Sequence, residues 1–269
     1  MFLSFFNKGV WIPFKTMNLV RPFVAFILIP LAGFVHFLLA TKFSIYENRP
    51  IWFYVIIIAS GIVLLRALLR AKKNKLFLFL INVSAFFLIV GLAWWIEVLS
   101  SYMTVNFPYK NQDLLDQQDT YLVNSKGLTV KTTTILETHP YTLLHFFRGH
   151  WWPYCISELV KLEQKKDNFD DLGVQIIPIS ISNLSGATKA KEKSKSSFNF
   201  YCDLDSSFST HLGLLHKSGH PFNGTDIAQI GKVLVNSKGL ILWTHFTSSS
   251  RVRLTTNSLI EKIKKSITN

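Results

Sequence analysis

The chain has 269 residues, 49% of them hydrophobic, and a formal net charge of +13, which is room for a membrane region plus one globular domain or for two small domains. Ten Lys and Arg stand against two acids up to Leu99 and nineteen against fourteen after it, so the first part is apolar with basic edges and the second reads as soluble. The positive charge does not indicate nucleic acid, because much of it flanks apolar runs and the second part lacks a basic, aromatic groove.

Three apolar runs fill the first hundred residues. Pro22 to Thr41 and Leu76 to Ile96 contain no Asp, Glu, Lys or Arg, and about twenty residues at ~1.5 Å each span a hydrocarbon core of roughly 30 Å. The middle run, Ile51 to Leu65, gains Ala67 to Leu69 if Arg66 snorkels to the interface. Three such runs separated by short polar loops predict membrane spans rather than buried soluble helices. Nothing resembles a cleavable signal peptide. The second loop, "RALLRAKKNK", holds five basic residues, and Lys8, Lys15 and Arg21 precede or open the first span, whereas the first loop has only Lys42 and Arg49 with Glu47. The positive-inside rule then predicts a cytoplasmic N-terminus and second loop, with everything after Trp95 outside the cytoplasm, periplasmic if the source is bacterial. Trp52, Trp94 and Trp95 fall at that outer interface, as an aromatic belt or as ordinary lipid-facing bulk.

Residues 101–119, with Asp113, Asp116 and Asp119, read as a polar linker between a span region (1–100) and a globular domain (120–269). "YLVNSKGLTV" predicts a β hairpin on Asn124-Ser125-Lys126-Gly127. "YTLLHFF" and "VQIIPISIS" read as buried strands. Between them Cys155, Leu159, Leu162 and Phe169 recur at helical spacing, with Gly173 ending the helix. This βαβ order predicts parallel strands with a right-handed crossover. A lysine-rich stretch from Lys189 to Lys195 reads as a solvated helix or loop, "FNFYC" as a short strand and "SSFSTHLGL" as a helix. "KVLVNSKGLILW" predicts a second hairpin, and "TTNSLIEKIKKSI" an amphipathic helix with Leu259, Ile260, Ile263 and Ile267 on one stripe.

"FFRGHWWPYCISEL", Phe146 to Leu159, resembles the "YRG-x-W-C-P-Y-C-x-x-(E/Q)-L" signature of the peroxiredoxin-like AhpC/TSA (redoxin) family, and the likeness extends through "FNFYCDLDSSFSTHLGL" and "IGKVLVNSKGLILW" over most of residues 115–267. The resemblance implies an α/β thioredoxin-like fold of peroxiredoxin type, here behind a three-helix transmembrane region. It also implies that Cys155, with Glu158 and Leu159 after it, is the peroxidatic position and that Arg148 is the arginine of the "RG" element. By the family mechanism Cys155 attacks a peroxide O–O bond, an arginine stabilises the leaving oxygen, and a second thiol reduces the sulfenic acid. Two departures stand out: Trp152 replaces the first cysteine of related motifs, and Ile230 replaces the usual cis-proline.

A thiol reacts as thiolate, so its acidity must be raised by a helix N-terminus or a cation. Pro153 suits the first turn of a helix, which puts Cys155 at the positive dipole end, and Arg148 is close on the incoming loop. The opposing reading is a small buried hydrophobe. Cys202 is the only internal candidate for a resolving thiol, or it is a packed cysteine. Arg253, with Arg251, lines the cleft or sits on the surface. His211, His216 and His220 lack the carboxylate or cysteine pattern of a metal site, and no cofactor is expected.

Two functions follow. One is a membrane-anchored thiol oxidoreductase that reduces peroxides, or exchanges thiols with a disulfide, using an external thiol reductant and an antioxidant single cysteine. The other is a degenerate, non-catalytic thioredoxin-fold module that binds or assembles partners at the bilayer. A transporter or electron conduit has little support, because His36 and Asn82 are the strongly polar residues of the spans.

Overall fold

The computed structural model describes residues 17–43, 50–98, 105–111, 113, 115, 120–247 and 249–268. They form two compact units, one of long helices and one α/β.

The helices α1 (Met17–Leu38), α2 (Ile51–Arg70) and α3 (Lys75–Ala93) coincide with the three apolar runs, and α1 and α3 each continue through a π-helical turn, Leu39–Phe43 and Trp94–Val98. Leu19–Lys42, Ile51–Arg70 and Lys75–Val98 are long and apolar enough to cross a membrane. Ile29, Phe53, Ile57, Leu64 and Ala85 pack between the helices, while Phe23, Phe34, Val55, Ile58, Phe86 and Phe87 face outward. A helix bundle apolar on both its inner and outer surfaces suits a hydrocarbon solvent. Gly33 lets Leu92 approach so closely that a Cβ would sit 3.0 Å from it, the small-residue contact that replaces hydrophobic drive inside lipid. Polar side chains turn inward: Asn82 Nδ2 donates to the Leu64 and Leu78 carbonyls at 3.2 and 2.8 Å, and the Tyr54 hydroxyl to Glu97. His36 is buried beside the Phe53 and Trp95 rings. Of the three tryptophans expected at an interface, Trp94 is exposed, whereas Trp52 and Trp95 pack on the bundle core.

The α/β unit runs β1 (Tyr121–Asn124), β2 (Thr129–Lys131), α4 (Thr132–Leu136), β3 (Tyr141–Phe146), α5 (Pro153–Gln164), α6 (Lys166–Asp170), β4 (Val174–Ser180), α7 (Leu184–Ser194) and β5 (Tyr201–Cys202). It continues with α8 (Ser207–His211), β6 (Leu215–His216), β7 (Ile227–Ala228), β8 (Gly231–Asn236), β9 (Ile241–Phe246) and α9 (Thr256–Thr268). One seven-stranded sheet has the order β2-β1-β5-β4-β3-β8-β9, and β6 pairs with β7 apart from it. β3 and β4 are parallel in register Tyr141 to Val174 through Phe146 to Ile179, as the strand-helix-strand pattern predicts, and β8 lies antiparallel on the other side of β3. Both Asn-Ser-Lys-Gly hairpins form by the same chemistry. Asn124 Oδ1 accepts the Lys126 and Leu128 amides, and Asn236 Oδ1 those of Lys238 and Leu240.

Alternation along the central strands separates two faces. Leu144, Phe146, Ile177, Ile179, Val233 and Val235 enter one core with Leu122, Phe208 and Leu214. The intervening residues, among them His145 and Lys232, face the other way.

Two expectations are corrected and one is made definite. The helix carrying Cys155 does not run to Gly173: it ends at Gln164, and α6 follows before Gly173 turns into β4. The lysine-rich stretch takes the helical of its two expected forms, with Asn183 Oδ1 capping the Gly186 amide at 2.9 Å, Ala187, Ala190 and Ser194 buried, and Lys189 and Lys193 outward as expected of a solvated face. The described part of the polar linker packs on the domain. Val105, Phe107 and Tyr109 lie against the core, Leu115 is inside it, and the Ile241 amide bonds the Asp113 carbonyl; residues 101–104, 112, 114 and 116–119 of that stretch are outside the described residues, as are Lys8, Lys15, Glu47 and Arg49. Short elements such as α4, β6 and β7 span too few residues to show a period.

Gly213 and Gly224 share φ +66°, but a Cβ on Gly213 would lie 2.2 Å from the Asn106 carbonyl oxygen whereas one on Gly224 meets nothing within 4 Å. Denaturant unfolding of the solubilised chain should show Gly224→Ala losing about 1 kcal/mol, the left-handed strain alone, and Gly213→Ala losing about 2 kcal/mol or more. Equal losses would mean that residues 105–107 do not dock on the domain.

Candidate functional site

Pro153 occupies the first turn of α5, where its missing N–H costs nothing and its φ is already helical. Cys155 follows in the first turn, completely buried. Its own amide and that of Ile156 both donate to the Trp152 carbonyl, at 3.0 and 3.3 Å, so these two N–H groups have a partner other than the sulfur.

Glu158 is three residues on, on the same face of the helix, and is nearly as buried. Its Oε1 accepts Lys232 Nζ from β8 at 2.6 Å and its Oε2 accepts Arg253 Nε from the segment after β9 at 2.8 Å. The same guanidinium extends Nη2 to within 3.8 Å of Cys155 Sγ. His145 Nε2 stands 3.9 Å from Oε2. The sheet register explains why these groups meet: Lys232 pairs with His145 on β3 and with His245 on β9, so one polar row crosses three strands under α5.

The electrostatics follow from burial and pairing. Desolvation opposes the Glu158 carboxylate, but Lys232 and Arg253 outweigh it and hold its pKa well below the usual range. Burial drives His145 down to about 3 and His245 to about 4, with Lys232 adding to both effects, so both imidazoles are neutral. Burial also pushes the Cys155 thiol up; Arg253 and the Arg148 backbone N–H pull it down, and Glu158 adds to the rise. The net direction is upward, the reverse of what a helix N-terminus predicts, because the sulfur sits in a fully desolvated position.

Arg148 is also placed differently from expectation. Its Nη2 donates to the Gly219 carbonyl at 2.8 Å, and its guanidinium lies over Trp152 at 4.8 Å and Trp151 at 5.4 Å. It reaches Cys155 chiefly through its main-chain N–H, and the arginine side chain at the sulfur is Arg253. Trp152, at the cap of α5, is buried with Nε1 donating to the Ser250 carbonyl at 3.3 Å. Arg251 covers Tyr154, with Nη1 3.3 Å from its hydroxyl. The segment 249–253 thus closes over the first turn of α5, and its alternation points both arginines at that helix.

Ile230 is buried in a trans linkage just before β8. Cys202 lies on β5, paired with Ser180 and Val123, and burial raises its thiol to about 11. Neither cysteine is in a disulfide. The histidines do not converge: His211 Nε2 meets the Tyr109 hydroxyl at 2.5 Å, while the His220 ring packs on Trp151 at 4.1 Å, and no group of three or more metal-ligating side chains occurs among the described residues. No sequence motif marks His145, Lys232 and His245. The available signal was a lone basic residue in each of three largely apolar strands.

Residues 115–244 match the model of the AhpC/TSA family. Among solved structures, a mutant of peroxiredoxin 6 from Arenicola marina is similar at 13% identity, with 58% of this chain and 72% of that chain covered and a TM-score of 0.50. AhpC of Enterococcus faecalis shows 15% identity over 58% of this chain and 93% of its own, TM-score 0.48. Peroxidoxin BcpB of Mycobacterium tuberculosis shows 14% over 59% and 94%, TM-score 0.47. At these identities the likeness is one of fold. No curated protein matches the chain.

His145 supplies a pH test. Its pKa is 6.5 unfolded and about 3 folded, so below pH 6.5 the unfolded chain binds a proton that the folded chain refuses. Stability is therefore lost as pH falls through that window, by about 1.4 kcal/mol per unit for one proton. His145→Leu should flatten the slope of unfolding free energy between pH 6.5 and 4.5. An unchanged slope would mean that His145 is protonated in the folded protein.

Proposed function

With residues 115–244 an AhpC/TSA family domain on a peroxiredoxin-type fold, we propose that the chain is a membrane-anchored thiol peroxidase working through Cys155 alone. The observation that carries this reading is the Arg253 guanidinium, 3.8 Å from Cys155 Sγ and fixed through Nε by Glu158. A cation held there stabilises both the thiolate and the oxygen that leaves it.

In the proposed reaction the Cys155 thiolate takes one oxygen of a peroxide and the O–O bond breaks. The other oxygen leaves as alcohol or water after gaining a proton, beside Arg253. Cys155 becomes a sulfenic acid, oxidised by two electrons. An external thiol condenses with it to a mixed disulfide and water, and a second thiol restores the reduced cysteine. Cys202, buried in the sheet with a raised pKa, is poorly suited to the resolving step. Trp152 replaces the thiol that would make an internal pair, so general disulfide reductase turnover is expected to be negligible. Arg148 serves this site through its backbone and by holding Trp151, Trp152 and the Gly219 loop. Pro153 starts the helix, and Ile230 fills the neighbouring strand end.

For the membrane part we propose spans within residues 1–100, a cytoplasmic N-terminus and a catalytic domain, 120–269, outside the cytoplasm. Support comes from the three apolar helices and from Arg66 and Arg70 in the last turns of α2, Lys72 and Lys73 in the loop, and Lys75 at the start of α3.

The complete burial of Cys155, with Trp152 bonded over the first turn, favours a second reading: a module that binds or assembles partners at the membrane without turnover. Peroxide-dependent oxidation of an added dithiol by the reconstituted chain separates the two. Cys155→Ser should abolish it, Arg253→Met should slow it about tenfold to a hundredfold, and Cys202→Ser should leave it intact. A wild-type rate no greater than that of Cys155→Ser would leave the non-catalytic module. Reporters fused after Lys75 and after Asn269 should mark opposite sides of the membrane; one shared compartment contradicts the orientation.

A further inference from the structure

Lys232 is the least expected residue in the α/β unit. It is 99% buried, the second residue of β8 between Gly231 and Val233, in a strand flanked by β3 and β9 in the sheet. A buried ammonium is costly to desolvate, and apolar residues of similar size often replace such pairs without loss. A reason for keeping a cation there is visible in the charge balance of the cluster. Glu158 contributes one negative charge, and Lys232 and Arg253, both hydrogen-bonded to it, contribute two positive ones. Removing Lys232 would leave a neutral Glu158–Arg253 pair.

We propose that Lys232 is a positioning residue of the Cys155 site: by occupying one oxygen of Glu158 it leaves Arg253 held by the other, and it gives the buried cluster one positive charge in excess, which an anionic sulfur at Cys155 neutralises. The proposal builds on the reading of Cys155 as the nucleophile and adds the residue that sets its charge from the far side of the carboxylate. Lys232 acts through Glu158 and Arg253 rather than on the substrate.

None of the other charged or titratable groups facing the cluster cancels that excess. His145 on β3 and His245 on β9 flank Lys232 and are neutral, so neither cancels the carboxylate nor adds a proton near pH 7. Arg148, before α5, and Arg251, after β9, are buried cations at the same helix start. Lys161 on α5 and Lys262 on α9 lie further out, the first within reach of Glu158's field and the second of His245's. Glu158 is the one acid ion-paired in this cluster among the described residues.

The test is the ionisation of Cys155 itself, followed by the ultraviolet absorbance of the thiolate in the intact detergent-solubilised chain. Each variant is read as the difference from its own Cys155→Ser counterpart, which requires neither reagent access nor turnover, so the result stands apart from whether the protein reduces peroxides. Lys232→Met should raise the Cys155 pKa by about one unit or more. Lys232→Arg, which keeps the charge, should restore it. The double variant with Lys232→Met and Glu158→Gln removes one charge of each sign and should return the pKa to within about half a unit of wild type, although both hydrogen bonds of the pair are lost. A packing role predicts the contrary, with the double variant at least as perturbed as the single one. No rise in Lys232→Met overturns the proposal. So does a rise of a full unit in the double variant, which leaves no unpaired acid and reads the charge balance even if the single variant fails to fold.

Discussion

The Glu158 carboxylate joins parts of the chain that are far apart in sequence: the first turns of α5, strand β8 through Lys232 and the segment after β9 through Arg253. Without it Lys232 and Arg253 would be buried cations lacking the acid partner they share, and breaking such a pair typically costs about 3–5 kcal/mol. The same carboxylate fixes the guanidinium that approaches Cys155. Structure and chemistry therefore share one group, and a change at Glu158 cannot alter the site without altering the fold around it.

Placing that group takes the whole sheet. The parallel register of β3 and β4 carries the chain past the sheet end into the loop that starts α5, while β8, antiparallel beside β3, sets Lys232 next to His145. Segment 249–253 then returns over α5, with Trp152 bonded to Ser250 and Arg251 on Tyr154. The sulfur ends in a dry position where two effects oppose each other. Desolvation favours the thiol; the nearby cations favour the thiolate. The net direction is toward the thiol, so a thiolate at Cys155 would rest on the neighbouring cations.

The elements legible in the sequence were those with a period or a turn code: three apolar runs, two Asn-Ser-Lys-Gly hairpins, the βαβ unit and the amphipathic α9. Cys155, Pro153 and Glu158 were legible from one short motif. The identity of the arginine side chain was not, because Arg148 is seven residues from Cys155 while Arg253 is ninety-eight residues away and arrives through tertiary return of the chain. His145, Lys232 and His245 escaped for a similar reason: each is the one basic residue of a largely apolar strand, and only the pairing register brings them into a row. The residues expected to link the two units misled by composition, since their polar residues mask Val105, Phe107, Tyr109 and Leu115, which pack on or within the domain core.

The most direct test of Cys155 as the reacting group is to trap sulfenic acid in the intact reconstituted chain after a brief exposure to peroxide and to locate the adduct by peptide mapping. The predicted result is an adduct on the peptide containing Cys155, formed before any on Cys202. An unmodified Cys155, or adducts appearing on both cysteines at the same rate, would contradict the assignment.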